Sequence, residues 1–166
     1  MRRAASKTMK RNEERLAQSD LPIVPGIIVV LDIDKFGDYI QSLGLDPYRP
    51  NTVSGELTAL VEKFAWKYRG VVIYGLSPER GTEEAVIEIP YGHEELESIL
   101  GDLNNIKTTI EKYRASISIA VVKDFVTAKP AKNRREAYYG TPGRARAIRA
   151  LKAVKRRGGG RIIALS

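Results

Sequence analysis

No cysteine occurs in the chain, which excludes disulfides, thiolate catalysis and zinc–sulfur sites. Histidine occurs once, as His93. That rules out a multi-histidine metal centre and any mechanism needing two imidazoles, and His93 itself reads as a surface residue at a helix start. No apolar run approaches the roughly 20 residues that span a bilayer. The N-terminus is basic but no apolar core follows it, so it does not read as a secretory leader. Together these absences lead us to expect a cytoplasmic protein with no membrane partner.

What the chain does have is positive charge. Its 166 residues carry a formal +8, which suits an anionic partner such as nucleotide, nucleic acid or membrane surface without choosing among them. The length fits one domain with a real core, residues 23–166, preceded by a basic arm at residues 1–22. Abundant Lys, Arg and Glu without Cys also fit a thermophile's composition.

The stretch that organises the rest is residues 26–39. Residues 27–31 are all apolar and run directly into Asp32 and Asp34. A short β-branched run of this kind reads as a strand buried on both faces. Side chains alternate along a strand, so Asp32 and Asp34 point to one side and Ile33 to the other. Two neighbouring carboxylates repel, so one takes up a proton or a cation sits between them. Mg²⁺ suits the second solution, because it takes oxygen ligands from one or two carboxylates plus substrate phosphates. The plainer alternative is that the strand simply ends there in solvated acids.

The remaining elements follow in order. The arm carries Arg2, Arg3, Lys7, Lys10, Arg11 and Arg15, with a short helix expected at 12–18 and Pro22 and Pro25 before the first strand. Gly44, Pro47 and Pro50 mark a loop. Ser54 is placed to cap a helix to about Tyr68, whose stripe is Leu57, Leu60, Val61, Phe64 and Tyr68. Trp66 lies off that stripe, where it would cover a sheet edge. Residues 71–74 and 85–89 read as two strands joined by a hairpin containing Gly75, Ser77, Pro78 and Gly81. Residues 93–113 read as a helical region broken near Gly101, Asn104 and Asn105. A strand at 116–122 and a long basic connection at 124–143 come next. Pro142 then opens a helix to about Arg157 with Ala145, Ile148, Leu151 and Val154 inward. Gly158 ends it, and residues 162–165 form a last strand.

The order βαββαβ followed by αβ predicts an α+β fold of the ferredoxin-like split βαβ type: an antiparallel sheet with helices on one face. In that arrangement strands one and three are central, antiparallel neighbours. Asp32 and Asp34 then lie beside the hairpin tip with its Glu83 and Glu84. Four carboxylates meeting at one edge are costly unless a cation neutralises them.

Several motifs in this order resemble a known family. Residues 32–36, Asp-Ile-Asp-Lys-Phe, resemble the D-x-D-x-F motif of palm-type nucleotidyl cyclases, the GGDEF domains. Residues 81–85, Gly-Thr-Glu-Glu-Ala, resemble a degenerate GGDEF hairpin. Residues 116–120, Ser-Ile-Ser-Ile-Ala, are similar to the family's S-I-G-I-A strand, and residues 147–158 to its last helix. Asp32-x-Asp34-x-Phe36-Gly37-x-Tyr39 also resembles a stretch of archaeal GTP cyclohydrolase III, a family of palm-like domains that opens the guanine ring of GTP with Mg²⁺. The resemblance implies catalytic roles for Asp32, Glu83 and Glu84. It implies metal binding by Asp32, Asp34, Glu83 and Glu84, and nucleotide binding by Lys35, Phe36, Gly37 and Lys155. It differs at four positions. Thr82 replaces a glycine and Ala85 a phenylalanine; Ile40 stands where an asparagine reads guanine, and Gly159 where an arginine meets phosphates. A homodimer would replace the tandem domains of the cyclohydrolase.

Three readings stay open on the sequence. One is a Mg²⁺-dependent enzyme acting on a nucleoside triphosphate such as GTP. The second is an inactive palm-like domain that binds nucleotide or a protein. The third is a nucleic-acid binder using the arm, the loop Lys129–Arg135 and the C-terminal helix, since split βαβ sheets also carry RNA-binding domains. Against the third, the middle strands offer Ile, Val and carboxylates where RNA readers expose aromatic rings.

Overall fold

The computed structural model describes residues 23–46, 49 and 51–166. The basic arm with its expected helix at 12–18, and Pro22, Pro47 and Pro50, lie outside the described residues.

The apolar run forms the centre of a five-stranded sheet. β1 (Val24–Ile33) lies between β3 (Glu84–Pro90) and β4 (Ile117–Val126), antiparallel to both. β2 (Val71–Tyr74) pairs antiparallel with β3, and β5 (Ile162–Leu165) pairs parallel with β4, giving the order β2-β3-β1-β4-β5. The fold is α+β, with the expected split βαβ order at its heart. The sheet is mixed rather than wholly antiparallel, because the final strand returns through a helix and so runs alongside β4.

α1 (Phe36–Ser42) follows the acids directly, in a stretch the sequence reading leaves without an element. The crossover helices are α2 (Thr52–Lys67) and α3 (Leu96–Glu111), the latter entered through a 3₁₀ turn at Gly92–Glu95. The cap of α2 lies three residues before the expected Ser54. Asn51 is the capping residue and accepts from the Ser54 amide at 2.9 Å, while the Ser54 side chain accepts from the Asn51 amide at 3.0 Å, a reciprocal capping box. α3 is unbroken: Gly101 faces open space, and the carbonyls of Asn104 and Asn105 accept from Thr108 and Thr109 hydroxyls. Trp66 is 88% exposed on α2.

Alternation along β1 builds two cores. Ile27, Val29, Leu31 and Ile33 pack with Leu57, Val61 and Phe64 of α2 and Ile99, Leu103 and Ile110 of α3. Ile28 and Val30 pack on the opposite face with Val86, Ala120 and Val122, beneath α4 (Arg134–Tyr139) and α5 (Pro142–Arg156). The crossover helices therefore share one face as expected, but the C-terminal helix covers the other. The physical reason is in the run 27–31, which is apolar at every position. A sheet apolar on both sides must be covered on both, since each large aliphatic side chain left in water forgoes about 1.5–3 kcal/mol.

α4 lies inside the expected basic connection, and β4 runs four residues past Val122. Asn133 caps α4 by accepting from the Glu136 amide at 2.9 Å. Before it, the Ala131 amide donates to the Ile73 carbonyl at 2.9 Å, so this connection covers part of the edge of β2. No helix among the described residues is long and apolar enough to cross a membrane.

Candidate functional site

The sheet brings the predicted acids to one rim. Asp32 stands opposite Glu84 across β1 and β3, and opposite Ser118 across β1 and β4. The Ile33 amide donates to the Glu83 carbonyl at 2.9 Å, which locks the hairpin end to the end of β1. Asp32 has the strand parity of Val30, and Glu84 that of Val86, so both belong to the face covered by α4 and α5. Lys155 reaches this rim from α5, placing its Nζ 3.1 Å from Asp32 Oδ2 and 3.4 Å from Asp34 Oδ1. It does so because 148, 151 and 155 lie on one helical stripe; Ile148 and Leu151 are buried, and the stripe turns polar where it meets the strand ends.

Asp34 is committed to holding the chain together. It accepts from Ser116 Oγ at 2.6 Å, Ser118 Oγ at 2.7 Å and the Gly160 amide at 2.9 Å. Burial works to raise its carboxyl, but these donors more than reverse that, and its pKa lies below the usual carboxylate value. The turn that delivers Gly160 needs glycine: Gly158, Gly159 and Gly160 have φ of 106°, 68° and 68°. A Cβ on Gly159 would lie 2.6 Å from Asp34 Oδ2. The position where the resemblance carries a phosphate-binding arginine is thus closed to any side chain.

Asp32 has the opposite character. Burial pushes its carboxyl above the usual range; Lys155 pulls it down only in part, and the neighbouring Glu84 and Glu83 add to the rise. Glu84 accepts from Arg134 Nη2 at 3.1 Å and from the Tyr138 hydroxyl. The same contact, together with burial, holds the Tyr138 hydroxyl well above its ordinary pKa.

The hairpin tip is anchored to α2 at the two positions just before these acids. Thr82 is fully buried. Its hydroxyl lies 2.7 Å from that of Thr58, and its amide donates to the Ser54 carbonyl at 3.0 Å. Gly81, at φ 84°, passes so close that a Cβ would sit 2.0 Å from Ser54 Oγ. Thr82, which departs from the glycine of the family hairpin, therefore fixes the loop that presents Glu83 and Glu84.

A small cleft opens on that side, lined by Phe36, Tyr74, Ser77, Arg80, Glu83 and Glu84 among others. Phe36 also packs against the first core. Lys35 is exposed and left-handed, with φ 48°, at the start of α1, and Gly37 faces open space. Ile40 is 1% exposed; it belongs to the core and cannot read a base.

The four predicted carboxylates do not act as one cluster. No group of three or more His, Cys, Asp or Glu among the described residues gathers to hold a metal ion. Asp34 is taken up by its donors. Asp32, paired with Lys155, and Glu84, held by Arg134 and Tyr138, are adjoining, part-exposed carboxylates, and two such oxygen donors would fit a Mg²⁺ that keeps several waters once those partners release them. Sequence reasoning missed Tyr138 on α4 and the pairing of Glu88 with Arg144 behind it, and counted Arg134 and Arg144 only as basic charge. The Asn133-x-x-Glu136 capping pattern was the signal that could have revealed α4. Compared with family models and with curated proteins, the chain matches none.

Proposed function

We propose that the domain binds a nucleoside triphosphate with Mg²⁺ at the carboxylate rim, Asp32 and Glu84 sharing the ion and Lys155 meeting the phosphates. The observation behind this reading is the register pair Asp32 and Glu84 with a lysine 3.1 Å from the first of them. Bound Mg²⁺ would neutralise phosphate charge and polarise a phosphoryl oxygen. Lys155 exchanges its contact with Asp32 for a phosphate oxygen while Asp34 continues to hold it in place. Glu84 would hold the ion only on release from Arg134 and Tyr138, which engage it in the structure. Phe36 walls the adjoining cleft, with Lys35 and Gly37 at its approach. By resemblance the ligand is a purine nucleoside triphosphate and the reaction is of the cyclohydrolase or nucleotidyl-transfer class, but buried Ile40 removes the side chain that would read guanine.

Titration calorimetry with GTP and ATP, each with and without Mg²⁺, tests the reading. Metal-dependent binding that is lost in Asp32→Ala supports it; no heat with any triphosphate at near-millimolar concentration overturns it. A second reading has its own observation: Glu84 is already paired with Arg134 and hydrogen-bonded by the Tyr138 hydroxyl. On that reading the domain binds nucleotide without metal or turnover, and Asp32→Ala leaves affinity unchanged.

A further inference from the structure

The rim also opens between the two helices of the second face. A cleft of about 510 Å³ there is lined by residues of α4 and α5 together with Asp32, a volume in the range of small-molecule sites. Its charge is one-sided: Arg134, Arg135, Lys152 and Lys155 face the single carboxylate of Asp32. Arg134 is engaged by Glu84, and Lys155 by Asp32 and Asp34. Arg135, by contrast, forms no ion pair among the described residues. Lys152 bonds to a neutral group, the Tyr139 hydroxyl, at 2.7 Å. Two cations are therefore available to an anion.

The rest of the lining is apolar. Ile148, Leu151 and Tyr138 contribute, and Tyr139 is 52% exposed with the Lys152 ammonium 5.5 Å from its ring centroid. Inorganic phosphate would use the cations and waste the ring. A planar base joined to a phosphate uses both, since bases stack on aromatic side chains regardless of sequence. The hairpin cleft has rings in Phe36 and Tyr74, but it is lined by Glu83 and Glu84 against one arginine, so without a metal it disfavours a phosphate.

We infer that the cleft between α4 and α5 binds a nucleoside 5′-monophosphate unit, free or as the end of a single strand, with the phosphate on Arg135 and Lys152 and the base against Tyr139. The site adjoins the triphosphate site through Asp32 and Lys155 but does not rest on that reading, as it needs neither metal nor a polyphosphate.

Calorimetry on the full chain in EDTA tests it, with AMP, ribose 5-phosphate, inorganic phosphate and tetra-adenylate as probes. AMP is expected to bind about tenfold more tightly than ribose 5-phosphate, the difference being the stacked base. Tyr139→Ala should erase that difference and Tyr139→Phe keep it. The double variant Arg135→Glu/Lys152→Glu, at two exposed positions, should weaken AMP binding at least about tenfold. Tighter, salt-sensitive binding of tetra-adenylate assigns the unit to a strand; equal affinity assigns it to free nucleotide. Equal affinity for AMP and inorganic phosphate, wild-type binding in the double variant, or no AMP binding at millimolar concentration overturns the inference. MgATP binding is measured in parallel: its loss with AMP binding intact overturns only the triphosphate reading, and the converse only this one.

Discussion

Arg144 and Glu88 meet inside the second core, where both are almost wholly buried. Nε lies 3.1 Å from Oε2 and Nη2 3.2 Å from Oε1, at 3% and 0% side-chain exposure. Glu88 also accepts from the amides of Thr127 and Ala128, and Arg144 donates to the carbonyls of Glu136 and Lys129. One ion pair thus pins the connection that leads into α4 and, through it, the placement of Arg134 and Tyr138. Removing one partner strands the other as a buried charge. Arg144→Met should cost about 3–5 kcal/mol, read as a lower urea midpoint. The double variant Glu88→Gln/Arg144→Met should lose less than Arg144→Met alone, because no charge is left unpaired.

The two rim aspartates should give opposite pH signatures. The folded pKa of Asp34 is depressed, so its stabilisation is complete above the unfolded value, about 4, and is lost as pH falls through the folded value. Asp34→Asn should be less stable than wild type at pH 7, and the gap should narrow on acidification below about pH 4. Denaturant titrations across that range provide the check.

For Asp32 the sign reverses. Its folded pKa is raised by burial, so the charged form costs stability, and that cost appears as pH rises through the folded value. Asp32→Asn should therefore leave the ligand-free protein as stable as wild type at pH 7, or more so, while abolishing Mg²⁺-dependent triphosphate binding. A stabilised variant that no longer binds is the usual mark of a site that trades stability for function.

Glycine substitutions should divide sharply by position. Gly159→Ala forces a side chain into a left-handed backbone and against the Asp34 carboxylate, and should cost about 1–3 kcal/mol. Gly101→Ala meets nothing on the outside of α3 and should stabilise by about 1 kcal/mol. Thermal melts of the two variants should shift in opposite directions.

The placement of Asp32 beside Glu84 was legible because strand alternation and split βαβ order together determine it. The fate of Asp34 was not. D-x-D spacing is the same whether the second acid holds a metal or accepts hydrogen bonds, and the deciding donors, Ser116, Ser118 and Gly160, come from two distant segments. The Arg144–Glu88 pair was equally hidden. Arginine on a basic helix reads as solvated until the opposite strand supplies a carboxylate beneath it. The covering of both faces, however, could have been deduced from Ile28 and Val30, whose side chains needed a second layer.

Trp66 is the chain's single tryptophan and stands almost wholly in solvent. Its indole is bathed by water before the sheet comes apart and after, so emission from it is a nearly silent gauge of unfolding. Melts of this protein need circular dichroism or calorimetry instead. The same silence gives a clean baseline: any shift of that emission toward the blue would mark an object settling on the outer surface of α2.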